Sequence, residues 1–136
     1  MRRYLTALLA ALALLLPVAA IGCGGGNDNS GGSSNGLSAA DNLKIDQDRA
    51  DIEEFCTLAP TPKGDLYDRA FITVVSAVDE LIIVYKKDPG ANFHDALKDR
   101  DIKMSQLAQD EAKKLKGCGK DGKAQSAKLT QALQSG

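Results

Sequence analysis

The stretch from Asp65 to Lys87 constrains this chain more than any other. Its polar positions Arg69, Thr73, Ser76, Glu80 and Lys87 are spaced four, three, four and seven residues apart. That spacing draws one narrow stripe along an α-helix, interrupted only by Ile83. Most of the remaining positions are apolar, among them Tyr67, Phe71, Val74, Val78, Leu81 and Val84. A helix that is apolar round most of its circumference has to be covered from more than one side. Its β-branched content (Ile72, Val74, Val75, Ile82, Ile83, Val84) raises a strand alternative. The 3.6-residue period of the polar stripe, without period-two alternation, argues against it. Asp68, Arg69, Asp79 and Glu80 lie inside the run and argue against a membrane span. The expectation is the central helix of a small bundle.

The flanking segments supply partners for it. Ser38 with Asp41 three residues on reads as a helix start, and that helix should run to about Leu58. Ile45, Ile52, Phe55, Cys56 and Ala59 keep to one face. Asp41, Asp46, Asp48, Asp51, Glu53 and Glu54, against Lys44 and Arg49, are expected on the opposite, solvated face. Pro60, Pro62 and Gly64 form a turn, and Asp65 is the expected cap of the central helix. Asp88, Pro89 and Gly90 end it. A third helix is expected from about Asn92 to Lys116, through Phe93, Leu97, Met104, Leu107, Ala108, Ala112 and Leu115. Gly117 is its expected left-handed terminator. Gly119 to Gly122 reads as a loop, with room for a short fourth helix over Ala124 to Gln134. The fold class is therefore all-α: an up-down-up three-helix bundle over residues 38–118, with 119–136 as a loop followed by a weak helix or tail.

The N-terminus has a different character. Met1, Arg2 and Arg3 form a short positive region, and Leu5 to Ile21 is apolar except for Thr6 and Pro17. This is the layout of a secretory signal peptide, too short for a clean bilayer span. It ends in Ala20, Ile21, Gly22 and Cys23. Here the chain resembles the bacterial lipoprotein signals of the lipobox class, over residues 1–23 only; Ala20 stands where that class usually carries Leu or Val. The resemblance implies that residues 1–22 are a lipoprotein signal peptide. It implies too that Cys23 is acylated, palmitate included, and becomes the mature N-terminus. It further implies anchoring by lipid to the extracytoplasmic face of the cell membrane. Each buried methylene of an acyl chain adds ~0.8 kcal/mol to such an anchor. Gly24 to Gly36 holds six Gly, three Ser, three Asn and one Asp. Such a segment behaves as a flexible coil with a root-mean-square reach of roughly 20 Å. Residues 23–37 are thus the lipidated cysteine and its tether.

With Cys23 allocated to lipid, Cys56 and Cys118 remain, and two cysteines in an exported chain usually pair. The topology points the same way by an independent route. Three helices joined by short connections run up, down and up, so the ends of the first and third share a pole. Cys56 is near one of those ends and Cys118 just past the other.

Composition and motifs exclude more than they assign. Of 17 basic residues, Arg2 and Arg3 leave with the signal, so 15 bases face 18 acids and the mature net charge is −3. That is no nucleic-acid footprint. With no Trp, three Phe and three Tyr, there are few large binding anchors. His94, the single histidine, has Asp95 and Asp99 nearby but sits in an ordinary exposed position of the expected third helix. Asp46 with Asp48, and Asp99 with Asp101, resemble fragments of calcium loops but lack the glycine and distal glutamate such loops need. Met104 fits a core position. No catalytic constellation and no metal or cofactor motif emerges, and the expected activity is non-enzymatic. One charge contrast stands out: residues 41–54 carry net −4 and residues 113–128 net +5, from six lysines and one acid. The function expected is a membrane-anchored extracytoplasmic lipoprotein presenting a helical module to an envelope protein or an anionic cell-wall polymer. The alternative is a small-ligand carrier or sensor with a cavity between its helices.

Overall fold

The computed structural model describes residues 36–136; the expectations for the signal segment, Cys23 and the tether up to Asn35 lie outside the described residues. Four helices and one hairpin follow in the order α1 (Ala39–Leu58), α2 (Asp65–Lys87), β1 (Asn92–Asp95), β2 (Arg100–Lys103), α3 (Met104–Lys116) and α4 (Gly119–Gln134). The helix-rich expectation holds; the three-helix all-α expectation does not. Ser38 caps α1 by accepting from the Asp41 N–H at 3.1 Å. The cap position of α2 is Gly64 rather than Asp65, which is its first helical residue.

The long helix expected over 92–116 is the largest correction. Its first half is an antiparallel hairpin pairing Asn92 with Lys103, Phe93 with Ile102, His94 with Asp101 and Asp95 with Arg100. Phe93 and Asp95 point inward, whereas Leu97 lies at the exposed tip. Asp99 closes the tip at φ +45°, a left-handed conformation that Asp tolerates better than most residues. The free edge of β1 is covered from the residue before the α1 cap and from the first turn of α1. Leu37 N–H donates to the Asn92 carbonyl at 3.0 Å. The Asn42 side chain accepts from the His94 N–H at 2.7 Å and donates to its carbonyl at 2.9 Å. α3 lacks a side-chain cap. Its first two N–H groups instead reach the carbonyls of Ala91 (2.8 Å) and Pro89 (3.3 Å) in the turn after α2.

The second correction is α4, which starts at Gly119 and takes in the stretch read as a loop. Gly117 does not end α3 in the expected left-handed conformation, since its φ is −84°; Gly119 turns the chain instead, at φ +71°, open to glycine at little cost. Gly122 is there for space. A Cβ on it would lie 2.5 Å from the Leu115 carbonyl oxygen and 2.7 Å from the Cys118 Cβ.

Contacts at the helix ends define two poles. At one, Lys87 pairs with Asp41 at 3.2 Å, and the Tyr85 hydroxyl donates to the Leu133 carbonyl at 3.4 Å. The hairpin and Gly36 are at this pole. At the other, Tyr67 donates to Asp121 at 2.6 Å, and Cys56 is disulfide-bonded to Cys118. The helices therefore alternate up, down, up, down, with the hairpin set between the second and third. The disulfide falls where the two chain ends expected to share a pole do meet. It closes a separation of 62 residues, worth about 4 kcal/mol in the chain-entropy account.

The core is filled by Ile45, Ile52 and Phe55 of α1, Val74, Val78 and Leu81 of α2, Phe93, Met104, Leu107 and Leu115, and Leu129 of α4. Fully burying each such side chain stabilises the fold by about 1.5–3 kcal/mol. α2 is central, as its pattern implies, but not wholly covered: Leu66, Ile72 and Ile83 remain about two-thirds exposed.

Gly122→Ala separates the two requirements of the α3–α4 turn. Helix propensity favours Ala by ~1 kcal/mol, yet the added Cβ meets a backbone carbonyl that cannot give way. The expected result in denaturant unfolding is a net loss of about 1–3 kcal/mol; a gain would mean that α4 does not start against the last turn of α3.

Candidate functional site

Three polar places lie on this scaffold. The first is a buried ion network across α1, β1 and α3. Arg49 Nη1 is 3.3 Å from Asp95 Oδ2, and its Nε is 3.4 Å from Glu111 Oε1. The guanidinium carbon stands 5.2 Å from the centre of the Phe93 ring, a cation–π distance. Lys114 Nζ extends the network, 3.3 Å from Glu111 and 3.2 Å from Glu53. Asp95 and Glu111 are 2 % and 3 % exposed. Burial alone would raise the Asp95 carboxyl. The Arg49 hydrogen bond and charge, with the N–H groups of Lys98 and Leu97, outweigh it and hold Asp95 below the usual carboxylate value. The network ties α1, β1 and α3 together and so holds the hairpin onto the helices.

The second place is a groove of about 230 Å³ between α1 and α2. It is lined by Lys44, Gln47, Asp48 and Asp51 on one side and by Thr73, Ser76, Ala77 and Glu80 on the other. The polar stripe of α2 thus faces the acidic helix. Asp48 was expected on the solvated face with Asp46, but it is buried, and its Oδ2 has no hydrogen-bond partner. Burial, then the charges of Glu80 and Asp51, push its carboxyl up to about 7, against the opposing charge of Lys44. Lys44 pairs with Glu80 at 3.2 Å, and Gln47 donates to Asp51 at 2.9 Å.

The third place is the outer face of α3 and α4. One groove of about 440 Å³ is lined by Lys116, Lys123, Ser126, Ala127, Thr130, Gln131 and Gln134. A second, of about 300 Å³, shares Lys116, Ser126 and Thr130 with it and adds Gln109, Ala112, Lys113 and Leu133. Of the six lysines in 113–128, Lys114 is tied into the buried network and Lys128 pairs with Asp79 at 2.6 Å. Among the described residues, Lys113, Lys116, Lys120 and Lys123 make no ion pair.

The remaining candidates are dispersed. His94 is on β1 rather than in a helix. It is half-exposed, 2.9 Å from Asp101 and 3.9 Å from Asp99, while Asp95 points away into the core. Asp99 and Asp101 are in the hairpin, not on a helix. Met104 is a fully buried core residue, as expected. Among the described residues, no three His, Cys, Asp or Glu side chains converge as a metal-ion set.

Spacing does carry a trace of what the sequence reading missed. Asp48 falls in register with Ile45, Ile52 and Phe55, and Glu111 with Met104, Ala108 and Leu115. An acid on an apolar helical stripe is a buried acid or a functional one. Comparison with family models, curated proteins and solved structures gave no significant match.

Arg49→Ala leaves Asp95 and Glu111 buried without their partner. The expected cost at pH 7 is about 3–5 kcal/mol in denaturant unfolding. The carboxylate held low in the native state stabilises it above the unfolded-state value and loses that contribution as pH falls. Without Arg49, burial of Asp95 is opposed only by the N–H groups of Lys98 and Leu97, so the deficit should shrink as pH is lowered toward 4. A deficit that stays constant with pH would mean the network contributes packing only.

Proposed function

We propose that this protein is a lipid-anchored extracytoplasmic lipoprotein whose helical domain is a non-enzymatic binding module. In this reading its lysine-bearing α3–α4 face meets an anionic partner, such as cell-wall polymer or an acidic envelope protein. The observation that carries the reading is the polarity of the domain. The tether joins at Gly36, which is bridged to Asn92 at the hairpin pole. Lys113, Lys116, Lys120 and Lys123 cluster toward the opposite, disulfide pole. α1, at 20 residues, separates the two by about 30 Å. The unpaired lysines are thus at the end of the domain opposite to Gly36, where the chain enters it. Lysines are suited to a repeating anionic polymer, because each acts as a mobile point charge rather than a planar fork.

The disulfide supports an oxidising compartment. An interior carrier cavity is the weaker reading, since Phe55, Leu81, Leu107 and Leu115 fill the space between the helices.

Two measurements test this. Cys23→Ala should leave unprocessed precursor or release the protein from the membrane fraction; a variant processed and membrane-bound like the parent would remove the anchor from the proposal. Replacing Lys113, Lys116 and Lys123 by Gln should weaken binding to anionic cell-wall polymer by about tenfold or more, with the domain still folded and its unfolding midpoint lowered only slightly by the loss of cations from the last turn of α3. Binding by the parent should fall steeply with added salt. Salt-independent binding, or binding indifferent to the triple substitution, would direct attention to another face.

A further inference from the structure

We propose that the α1–α2 groove is a binding site for a small primary alkylammonium, held by Asp48 and Asp51 and accompanied by the Ser76 hydroxyl. This goes beyond the anionic-partner reading and is independent of it, because it uses the opposite charge on a different pair of helices.

The argument starts from Asp48. Its residue surface is 6 % exposed and it lines the groove, yet one of its carboxylate oxygens is buried without any partner. An orphaned buried carboxylate is costly, and such groups in folded proteins are usually paired or serve a function. The groups around it leave the groove short of positive charge, with three carboxylates facing one lysine. From α1, Lys44 and Asp51 face the groove; from α2, Glu80 does. Lys44 is taken up by Glu80. Among the described residues, Asp48 and Asp51 have no cation between them, and Gln47 donates only to Asp51. Asp48 and Asp51 are three apart on one helix, so they share a face.

The shape of the site separates an organic cation from a metal ion. The carboxylates do not converge as a metal-ion set. The groove's volume of about 230 Å³ would hold about seven waters at ~30 Å³ each, and hence a ligand of about six heavy atoms. An ammonium group offers three donors to carboxylate and hydroxyl oxygens. Its short alkyl chain can rest on Ala77. Thr73 is engaged elsewhere, its hydroxyl donating to the Arg69 carbonyl at 2.9 Å, whereas Ser76 is open.

Binding is linked to protonation. Asp48 is held up to about 7 by burial, Glu80 and Asp51, so below that pH an incoming ammonium must displace its proton. Affinity should therefore rise with pH between about 5 and 7.

The test is an NMR titration of the purified protein with 1,4-diaminobutane, read at the amides of Gln47, Asp48, Ser76 and Ala77. The expected result at pH 7.5 is a saturable shift confined to these residues, weakened at least tenfold at pH 5. Asp48→Asn should abolish it. That variant removes a charge rather than a core side chain, and it should unfold at a higher temperature than the parent at pH 8, which shows separately that it is folded. 1,4-Butanediol, equal in length but neutral, should produce no shift. The proposal is overturned if the shifts fail to saturate, if they survive Asp48→Asn, if butanediol reproduces them, or if calcium or magnesium binds there more tightly than the diamine.

Discussion

The guanidinium of Arg49 is the interaction on which the arrangement of this domain depends. It joins α1 to Asp95 on the hairpin and to Glu111 on α3, and it lies over Phe93. Two buried carboxylates on separate elements would repel one another and resist burial. One planar cation between them turns both into partners, with donors spaced to serve each. The hairpin has only four residues per strand and would be marginal by itself. Phe93 in the core, the Arg49 network above it and the Asn42 side chain along its edge make it part of the bundle.

Around that junction the domain is closed at both poles by different means. At the hairpin pole the bonds are polar and non-covalent: Lys87 to Asp41, Asn42 to His94, and the first N–H groups of α3 to the turn after α2. At the other pole closure is covalent, through Cys56 and Cys118, and tight, through the approach of Gly122 to Leu115. A domain of about 100 residues has a limited core, and a cross-link between the ends of α1 and α3 restricts the unfolded chain where the bundle would otherwise splay. The α2 start joins the same pole through Tyr67 and Asp121. That hydrogen bond and the burial of the ring push the Tyr67 hydroxyl up to about 12, burial contributing most.

The surface divides by charge in a way that net charge conceals. α1 and α2 enclose a carboxylate-lined groove, whereas α3 and α4 carry unpaired lysines along theirs. Part of the sequence-level contrast between residues 41–54 and 113–128 is spent inside the fold, where Lys114 meets Glu53 and Glu111. What remains unpaired is on separate faces. The proposed anionic partner and the proposed alkylammonium would therefore not compete.

The sequence by itself determined α1 and α2, the main apolar core positions of each, the Ser38 cap and the pairing of Cys56 with Cys118. These rest on periodicity, local capping and a parity argument, all of which survive an error elsewhere in the chain. Inserting one more element between the second and third passes changed the fold but not which ends share a pole. Only the tertiary structure decided that residues 92–103 form a hairpin. Phe93, Leu97 and Met104 satisfy helical spacing, but β1 is stabilised by Leu37, Asn42 and Arg49, all distant in sequence. The same holds for α4, whose first turn exists because Gly122 fits against Leu115. It holds for Asp48 too. Its position in register with Ile45 and Ile52 could be read from the chain, but whether an acid on that stripe turns to solvent or is buried depends on what packs over it. Local pattern sets which face a residue occupies; the neighbours brought by the fold set whether that face is wet.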